Sequence, residues 1–468
     1  MGRDLFLIAV AGTLMRLPFV SHVLWAWDSV LYARAIERFD PTAMLPHPPG
    51  YLGYVLLARV TTALLGDANA GLVALSVVGG VALAGAGYVA GRHVAGRAAG
   101  RAAAAILLLS PLAWQQSEIA YPYTVLGALA AWLFVAALVL PARAFALASF
   151  GFGLALGIRP DLCVIAGPFW AAVALRRGPR HVAAVLAAGV AGAVVWAAPT
   201  VIVAGGIDRY LDLVWTQAVG SSGVTRDLRV ALEHNAALLA TALQWQLLWL
   251  WPLAAAGALR IAREPALRTL RLPLVLATVP AVTLYLFFHI GDPGYTLSVA
   301  APLAIVAALG VTALPRLVPH RIRAIGAAGP AALVLAMGIP FVFGGDYFSA
   351  PAIAYQDETM LERFAYIRTH FDPASTVIVA RANYQHARLY LPEYTAVRPT
   401  GSGRPARDRF ADQVASVRTV VFLDRCWRHL APSAEHVALG GGTHLWISTG
   451  AALARDLAIH DILDLEVD

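Results

Sequence analysis

The chain has 468 residues, 59% hydrophobic and only 13% charged, with a mean hydropathy of +0.67. A soluble globular protein carries about 25% charged residues, so a deficit spread over most of this length means apolar surface facing lipid. The net charge of +7 is carried by arginine, lysine being absent, and no basic face or aromatic-basic module of a nucleic-acid binder accompanies it.

Taken in order, the N-terminus MGRDLFLIAV is followed by no small-residue cleavage site, and Arg16 and Pro18 interrupt the run, so it reads as an uncleaved first span, Leu5–Leu24. Arg16 is costly at mid-membrane and must face the protein interior or a water-filled cavity. A long polar interruption, Trp25–Tyr51, comes next, with an acid at Asp28, an amphipathic helical pattern and the corner His47-Pro48-Pro49-Gly50-Tyr51. There two prolines fix φ and remove donors, and Gly50 permits a sharp turn. Leu52–Leu65 is too short to span and reads as an interfacial helix. A spanning helix needs about 20 mostly apolar residues. The further candidates are Ala70–Ala90, Ala102–Gln115, Tyr123–Leu140, Ala144–Ile158, Leu162–Leu175, Val182–Ala204, Ala236–Leu259, Leu272–Ile290, Tyr295–Leu314 and Ala324–Phe343.

Loop charge orients them. One set of connections holds Arg92, Arg97 and Arg101; Arg143; Arg176, Arg177 and Arg180; Arg260, Arg263, Arg268 and Arg271; and Arg316, Arg321 and Arg323. By the positive-inside rule these are cytoplasmic. The alternate loops (Trp25–Tyr51, Gln116–Pro122, Arg159–Asp161, Gly205–Asn235 and Gly291–Gly294) then face outward. The expected architecture is an α-helical polytopic membrane protein of about eleven spans in the plasma membrane, N-terminus inside. The span-bearing part is residues 1–343. From Gly344 charged residues become frequent, and residues 344–468 read as a small extracytoplasmic α/β domain. Its helices are Asp357–His370 (Leu361, Phe364 and Ile367 on one face), Asn383–Leu391 and Ala451–Ala458; its strands are Thr376–Ala380, Thr419–Leu423 and Leu445–Ser448; Thr400–Arg409 is a loop. The two cysteines, Cys163 and Cys426, fall in different regions and do not read as a disulfide.

The outward loops hold more polar groups than connection requires: Asp28, Tyr32, Arg34, Glu37 and His47; Gln116, Glu118, Tyr121 and Tyr123; Arg159 and Asp161; His289, Asp292 and Tyr295. Ionisable groups on one side at membrane depth imply a shared polar cavity. No Cys or His partner stands at ligand spacing from His47, so no metal site is read there.

These stretches resemble the GT-C glycosyltransferase superfamily, in the branch of the protein O-mannosyltransferases and the bacterial lipid A aminoarabinose transferases. Asp28 in WAWDSVLYARAIE matches the acid of that family's first outer loop, and PHPPGYLGYVLLAR (Pro46–Arg59) its Pro-Pro corner. SPLAWQQSEIAYPY (Ser110–Tyr123) is similar to the second outer turn, GFGLALGIRPDL (Gly151–Leu162) to a Gly-x-x-x-Gly helix ending in a basic residue, and HIGDPGYTLSVAAPL (His289–Leu303) to a late outer loop. Many members carry an Asp-Glu pair where this chain has Asp28-Ser29, which weakens the case for a carboxylate-bound divalent metal.

The resemblance implies inverting transfer of a sugar from a polyprenyl-phosphate donor to an acceptor hydroxyl on a protein, glycan or lipid. A lipid phosphate leaves without a general acid, so the needs are a base, assigned to Asp28, and a cation for the departing phosphate, assigned to Arg159. His47, Tyr51 and Tyr123 are further donor-binding candidates. Arg34, Glu118, Tyr121, Asp161, His289, Asp292 and Tyr295 are candidates for lining the pockets, Asp161 having pairing with Arg159 as its alternative role. A transporter or flippase would also show intramembrane charge, together with repeat symmetry and broken helices in matching halves. A receptor or scaffold would leave Asp28 and Arg159 without a role.

Overall fold

The computed structural model describes residues 1–221, 227–317, 323–398, 417–424 and 432–453. It divides into two compact units, Met1–Val20 with Tyr32–Ile353, and Ser21–Leu31 with Ala354–Asp468.

The first unit is helical. α1 (Gly2–Arg16) is shorter than the span expected, because Pro18 tightens the chain into the 3-10 turn Leu17–Phe19. α2 (Trp27–Glu37) begins in the second unit and continues in the first. α3 (Leu52–Leu65) opens after Tyr51 and closes at Gly66, and its Arg59 donates to the carbonyls of Ile36 (2.7 Å) and Ala35 (3.4 Å), where α2 leaves its last acceptors unpaired. α4 (Ala68–Leu109, 42 residues) is two helical arms joined at Ala95 and Gly96, whose backbone is not helical. Gly96, at φ +86°, takes the left-handed backbone that reverses the chain. The arms then fold back on each other so tightly that a Cβ on Gly100 would lie 2.6 Å from the Tyr88 carbonyl. Two separate helices were therefore rightly expected here, but the second stops at Leu109. Ser110 then caps a new helix, α5 (Pro111–Glu118), by accepting from the Ala113 N–H.

α6 (Tyr123–Val139), α7 (Ala142–Ala155), α8 (Leu162–Leu175) and α9 (Pro179–Val203) follow the expected stretches closely. α7 and α9 cross at small residues: a Cβ on Gly153 would strike the Gly189 carbonyl, and one on Gly192 the Phe150 carbonyl. The stretch Gly205–Asn235, expected as a loop, instead holds α10 (Ile207–Ser221) and the start of α11 (Leu228–Leu247). Ile207, Leu211 and Trp215, four residues apart, give α10 an exposed apolar stripe. The expected helix Ala236–Leu259 is broken at Leu248 (φ +47°), with a 3-10 turn before α12 (Trp251–Arg263). α13 (Arg271–Phe287), the 3-10 segment Pro293–Val299, α14 (Ala300–Leu317), α15 (Arg323–Ala336) and α16 (Gly338–Phe343) complete the unit. Among the described residues five helical stretches are long and apolar enough to cross a membrane, namely Ala68–Leu109, Pro179–Val203, Leu228–Arg263, Pro265–Phe287 and Pro293–Leu314, and five apolar helices are shorter.

The second unit is α/β. α17 (Ala350–His370), which starts in the first unit, leads to β1 (Thr376–Val379), α18 (Tyr384–Tyr390), β2 (Thr395–Val397), β3 (Thr419–Phe422), β4 (Glu435–Ala438) and β5 (His444–Thr449). The sheet order is β2-β1-β3-β5-β4. β1 runs parallel to β2 and β3, and β5 antiparallel to β3 and β4. Phe364 and Ile367 of α17 join Ile378, Val421 and Leu445 in its core, whereas Leu361, expected on the same face, is half exposed. Residues 21–31 belong to this core through Val23. They are pinned by Asp357, which accepts from Ser21 Oγ (2.7 Å) and His22 N (2.6 Å), and by Gln356, which donates to the Trp25 carbonyl (2.7 Å). Arg321, the loop Thr400–Arg409, Cys426 and residues 454–458 of the last expected helix lie outside the described residues.

Buried His386 contacts the Leu24 carbonyl through Nε2 at 2.8 Å, and burial lowers its pKa. The folded chain therefore binds fewer protons than the unfolded one as pH falls through the ordinary imidazole value of about 6.5. This unit is expected to lose stability between pH 7.5 and pH 5.5. His386→Gln, which keeps a donor toward Leu24, should flatten that loss in unfolding curves recorded at the two pH values.

Candidate active site

Arg159 follows α7 and precedes α8. Its guanidinium is buried, and Asp161 holds it in a two-point pair, Nε to Oδ1 at 3.0 Å and Nη2 to Oδ2 at 2.7 Å. Burial opposes its charge, but Asp161 and then Tyr295 more than offset this and raise its pKa well above the ordinary arginine value. Asp161 occupies the Nε edge of the fork, so the Nη1 edge points elsewhere. The rings of Tyr51, Tyr123 and Tyr295 surround the cation at 5.6, 5.2 and 4.9 Å from their centroids. Buried cation–ring contacts of this kind are worth about 2 kcal/mol each.

Each ring is delivered by a different local device. Tyr51 ends the His-Pro-Pro-Gly corner, where Gly50 is at φ +105° and Tyr51 itself at φ +47°. The Gly53 N–H donates to the Gly157 carbonyl at 2.8 Å, which ties this corner to the chain just before Arg159. Tyr210 of α10 donates to the Pro49 carbonyl at 3.1 Å. Tyr123 opens α6 and packs against Tyr121 and Tyr295, each at 4.8 Å. Tyr295 sits in the 3-10 segment that Asp292 caps through the Gly294 N–H at 2.7 Å, and Gln116 of α5 donates to the same carboxylate at 3.1 Å. Gly294 is needed there, since a Cβ would meet both Tyr123 and Gln116 within 2.7 Å. His289 lies 6.1 Å from Tyr295, and His47 lies 5.1 Å from Tyr51.

The structure thus gathers Arg159, Asp161, Tyr51, Tyr123, Tyr121, Asp292, Tyr295, His289 and His47 around one point. The sequence reading does not single out Tyr285, 5.5 Å from Tyr295 and bonded to Ser298 at 2.9 Å, or Tyr54, 4.9 Å from Tyr32. A tyrosine in the middle of an apolar span was the available signal. Asp28 stands in the first turn of α2 and falls in the second unit, while Arg34 lies in the last turn of the same helix. Beside Asp28, the Trp27 ring is 6.0 Å from Tyr384 and 4.7 Å from the Arg398 guanidinium. Among the described residues no three His, Cys, Asp or Glu side chains gather as metal ligands.

No protein-family model matches this sequence, and no curated protein matches it. Among solved structures, ArnT from Cupriavidus metallidurans bound to undecaprenyl phosphate superposes with a TM-score of 0.62 at 14% identity, over 95% of this chain and 96% of that one. Its apo structure gives 0.57 at 14% identity, over 95% and 97%. The chain has the fold of ArnT.

On this scaffold Glu118 takes a second polar position. It is fully buried at the end of α5, and the charge it senses is that of Arg16, equally buried at the end of α1. Trp114 approaches the Glu118 carboxylate, and among the described residues Arg16 Nε and Nη2 and the neighbouring Gln115 amide have no hydrogen-bond partner. No direct ion pair joins Arg16 and Glu118, so burial of the two is offset only as far as they couple at longer range. Arg16→Ala or Glu118→Ala alone should cost about 3–5 kcal/mol, and Arg16→Met with Glu118→Met should cost much less. Thermal unfolding in detergent reads the difference, and equal losses in single and double variants would refute the coupling.

Proposed function

We propose that this protein transfers a sugar from a polyprenyl-phosphate donor to an acceptor hydroxyl at the outer face of the membrane. The observation that carries this reading is the buried Arg159 guanidinium, fixed by Asp161 on one edge and ringed by Tyr51, Tyr123 and Tyr295. A planar cation so placed matches the oxygens of a lipid-linked phosphate. The surrounding phenols supply apolar faces for the lipid side and hydroxyls for the sugar side. The similarity to ArnT, which has been captured with undecaprenyl phosphate, supports the donor class.

In this mechanism Arg159 binds the donor phosphate through its Nη1 edge and stabilises the negative charge that builds on it as the glycosidic bond breaks. Asp28 takes the proton from the acceptor hydroxyl, whose oxygen attacks the anomeric carbon from the face opposite the phosphate, so configuration inverts. His47, Tyr51 and Tyr123 contact the donor, and Arg34, Glu118, Tyr121, His289, Asp292 and Tyr295 line or support the pockets. The chain crosses the plasma membrane eleven times with its N-terminus inside, a topology supported by the reversal at Gly96 and by the arginine loops. Residues 1–343 form the transferase part, of the aminoarabinose or O-mannosyl branch, and residues 344–468 hold the acceptor outside.

The test is transfer from radiolabelled polyprenyl-phosphate hexose or pentose by purified protein. Asp28→Asn is expected to lower turnover by roughly a hundredfold or more with donor binding kept. Arg159→Lys should weaken donor binding, because lysine cannot present a fork to phosphate while paired to Asp161. Full activity of Asp28→Asn removes the base assignment. Movement of the lipid-linked sugar across vesicles without any transfer would replace the transferase by a flippase.

A further inference from the structure

At the far end of α1 from Arg16, a single carboxylate binds two arginines, and a third reaches it through a shared tyrosine. Asp4 accepts from Arg97 (Nε to Oδ2 2.7 Å, Nη2 to Oδ1 2.9 Å), from Arg101 (Nη2 to Oδ1 2.8 Å) and from the Tyr88 hydroxyl (2.6 Å), and Arg92 donates to that hydroxyl at 3.1 Å. With two of these arginines on the carboxylate and the third on its tyrosine, the cluster keeps a net positive charge of two. The carboxylate is buried, while the Arg97 and Arg101 side chains are 55% and 58% exposed. The uncompensated charge therefore faces outward, at the turn that Ala95 and Gly96 make.

Beside this cluster a groove of about 260 Å³ runs between α1 and the second arm of α4. Asp4 and Arg101 close one end. Leu7, Ile8 and Leu108 form its walls, and Ala11, Ala104 and Ala105 make it deep by withholding bulk. From Asp4 to Ala11 each helix rises about 10 Å, so the recess has the length of part of an acyl chain. A free anion would have no use for such a groove, and a neutral lipid none for the arginines.

We propose that this groove binds an anionic phospholipid of the leaflet on the arginine-rich side, cytoplasmic in the orientation given above. Its phosphate rests on Arg97 and Arg101, and one acyl chain lies over Ala104 and Ala105. Basic pockets between transmembrane helices on the cytoplasmic side suit such headgroups, each arginine near the surface contributing about fivefold in affinity. This site is remote from the transfer reaction and stands whether or not that reaction is as proposed.

Native mass spectrometry of the purified full chain tests it, titrating phosphatidylglycerol against phosphatidylcholine of the same chain length. The wild type is expected to retain one phosphatidylglycerol at concentrations where phosphatidylcholine is lost, and to unfold at a higher temperature with it. Arg97→Gln or Arg101→Gln should weaken phosphatidylglycerol about fivefold and leave phosphatidylcholine unchanged. Because both arginines also hold Asp4, the independent variant is Ala105→Phe, which touches no hydrogen bond and should weaken both lipids. Equal retention and equal thermal protection by the two lipids in the wild type overturns the proposal, as does an Ala105→Phe variant that binds phosphatidylglycerol like the wild type.

Discussion

A guanidinium enclosed by aromatic rings must keep its charge balanced, and Asp161, two residues along the chain from Arg159, does this at the candidate site. The short spacing lets the pair form within the turn between α7 and α8. Everything else at the site is arranged to reach that fixed cation. The Pro-Pro corner brings Tyr51 to it through the Gly53–Gly157 hydrogen bond, the start of α6 brings Tyr123, and the Asp292-capped segment brings Tyr295. Three loops far apart in the chain are registered against one charge, so the order of the site depends on the least replaceable of its members.

The same demand appears at the other buried charges, with different answers. Arg16 answers to Glu118 within the bundle, and Asp4 to an excess of arginine at the opposite end of α1. Close helix approach makes these arrangements affordable in space. Where Gly153 meets Gly189, backbones touch directly, and dispersion between them stands in for the hydrophobic effect, which lipid does not supply.

Much of this was legible beforehand. α6 and α8 start where apolar runs start, because the proline and polar residues before Tyr123 and Leu162 stop any earlier helix. The valine-rich strands β1 and β3 announce themselves as buried. Arg159 and its tyrosines stood out as polar groups pressed against spans. What escaped was of two kinds. β2 and β4 are three and four residues long and partly exposed, too brief for any alternation to show. The break at Leu248 lies four residues before Pro252, whose ring would clash with the Leu248 carbonyl in a continuous helix, a signal that the expected helix Ala236–Leu259 passed over. The membership of residues 21–31 in the second unit escaped for a deeper reason: it depends on Asp357 and His386, more than three hundred residues away, and no local pattern encodes such a partner.

The reversal at Gly96 also sets the parity of the whole molecule. By length and composition Ala68–Leu109 counts as one apolar helical stretch. The turn makes it two arms, and in the proposed topology every connection after Leu109 keeps or exchanges its compartment according to which count holds. A chain held straight there would present Arg159 and its tyrosines to the opposite compartment. In the proposed topology the two arms would enter the bilayer as a closed pair, with the arginines flanking the turn kept at the cytoplasmic surface.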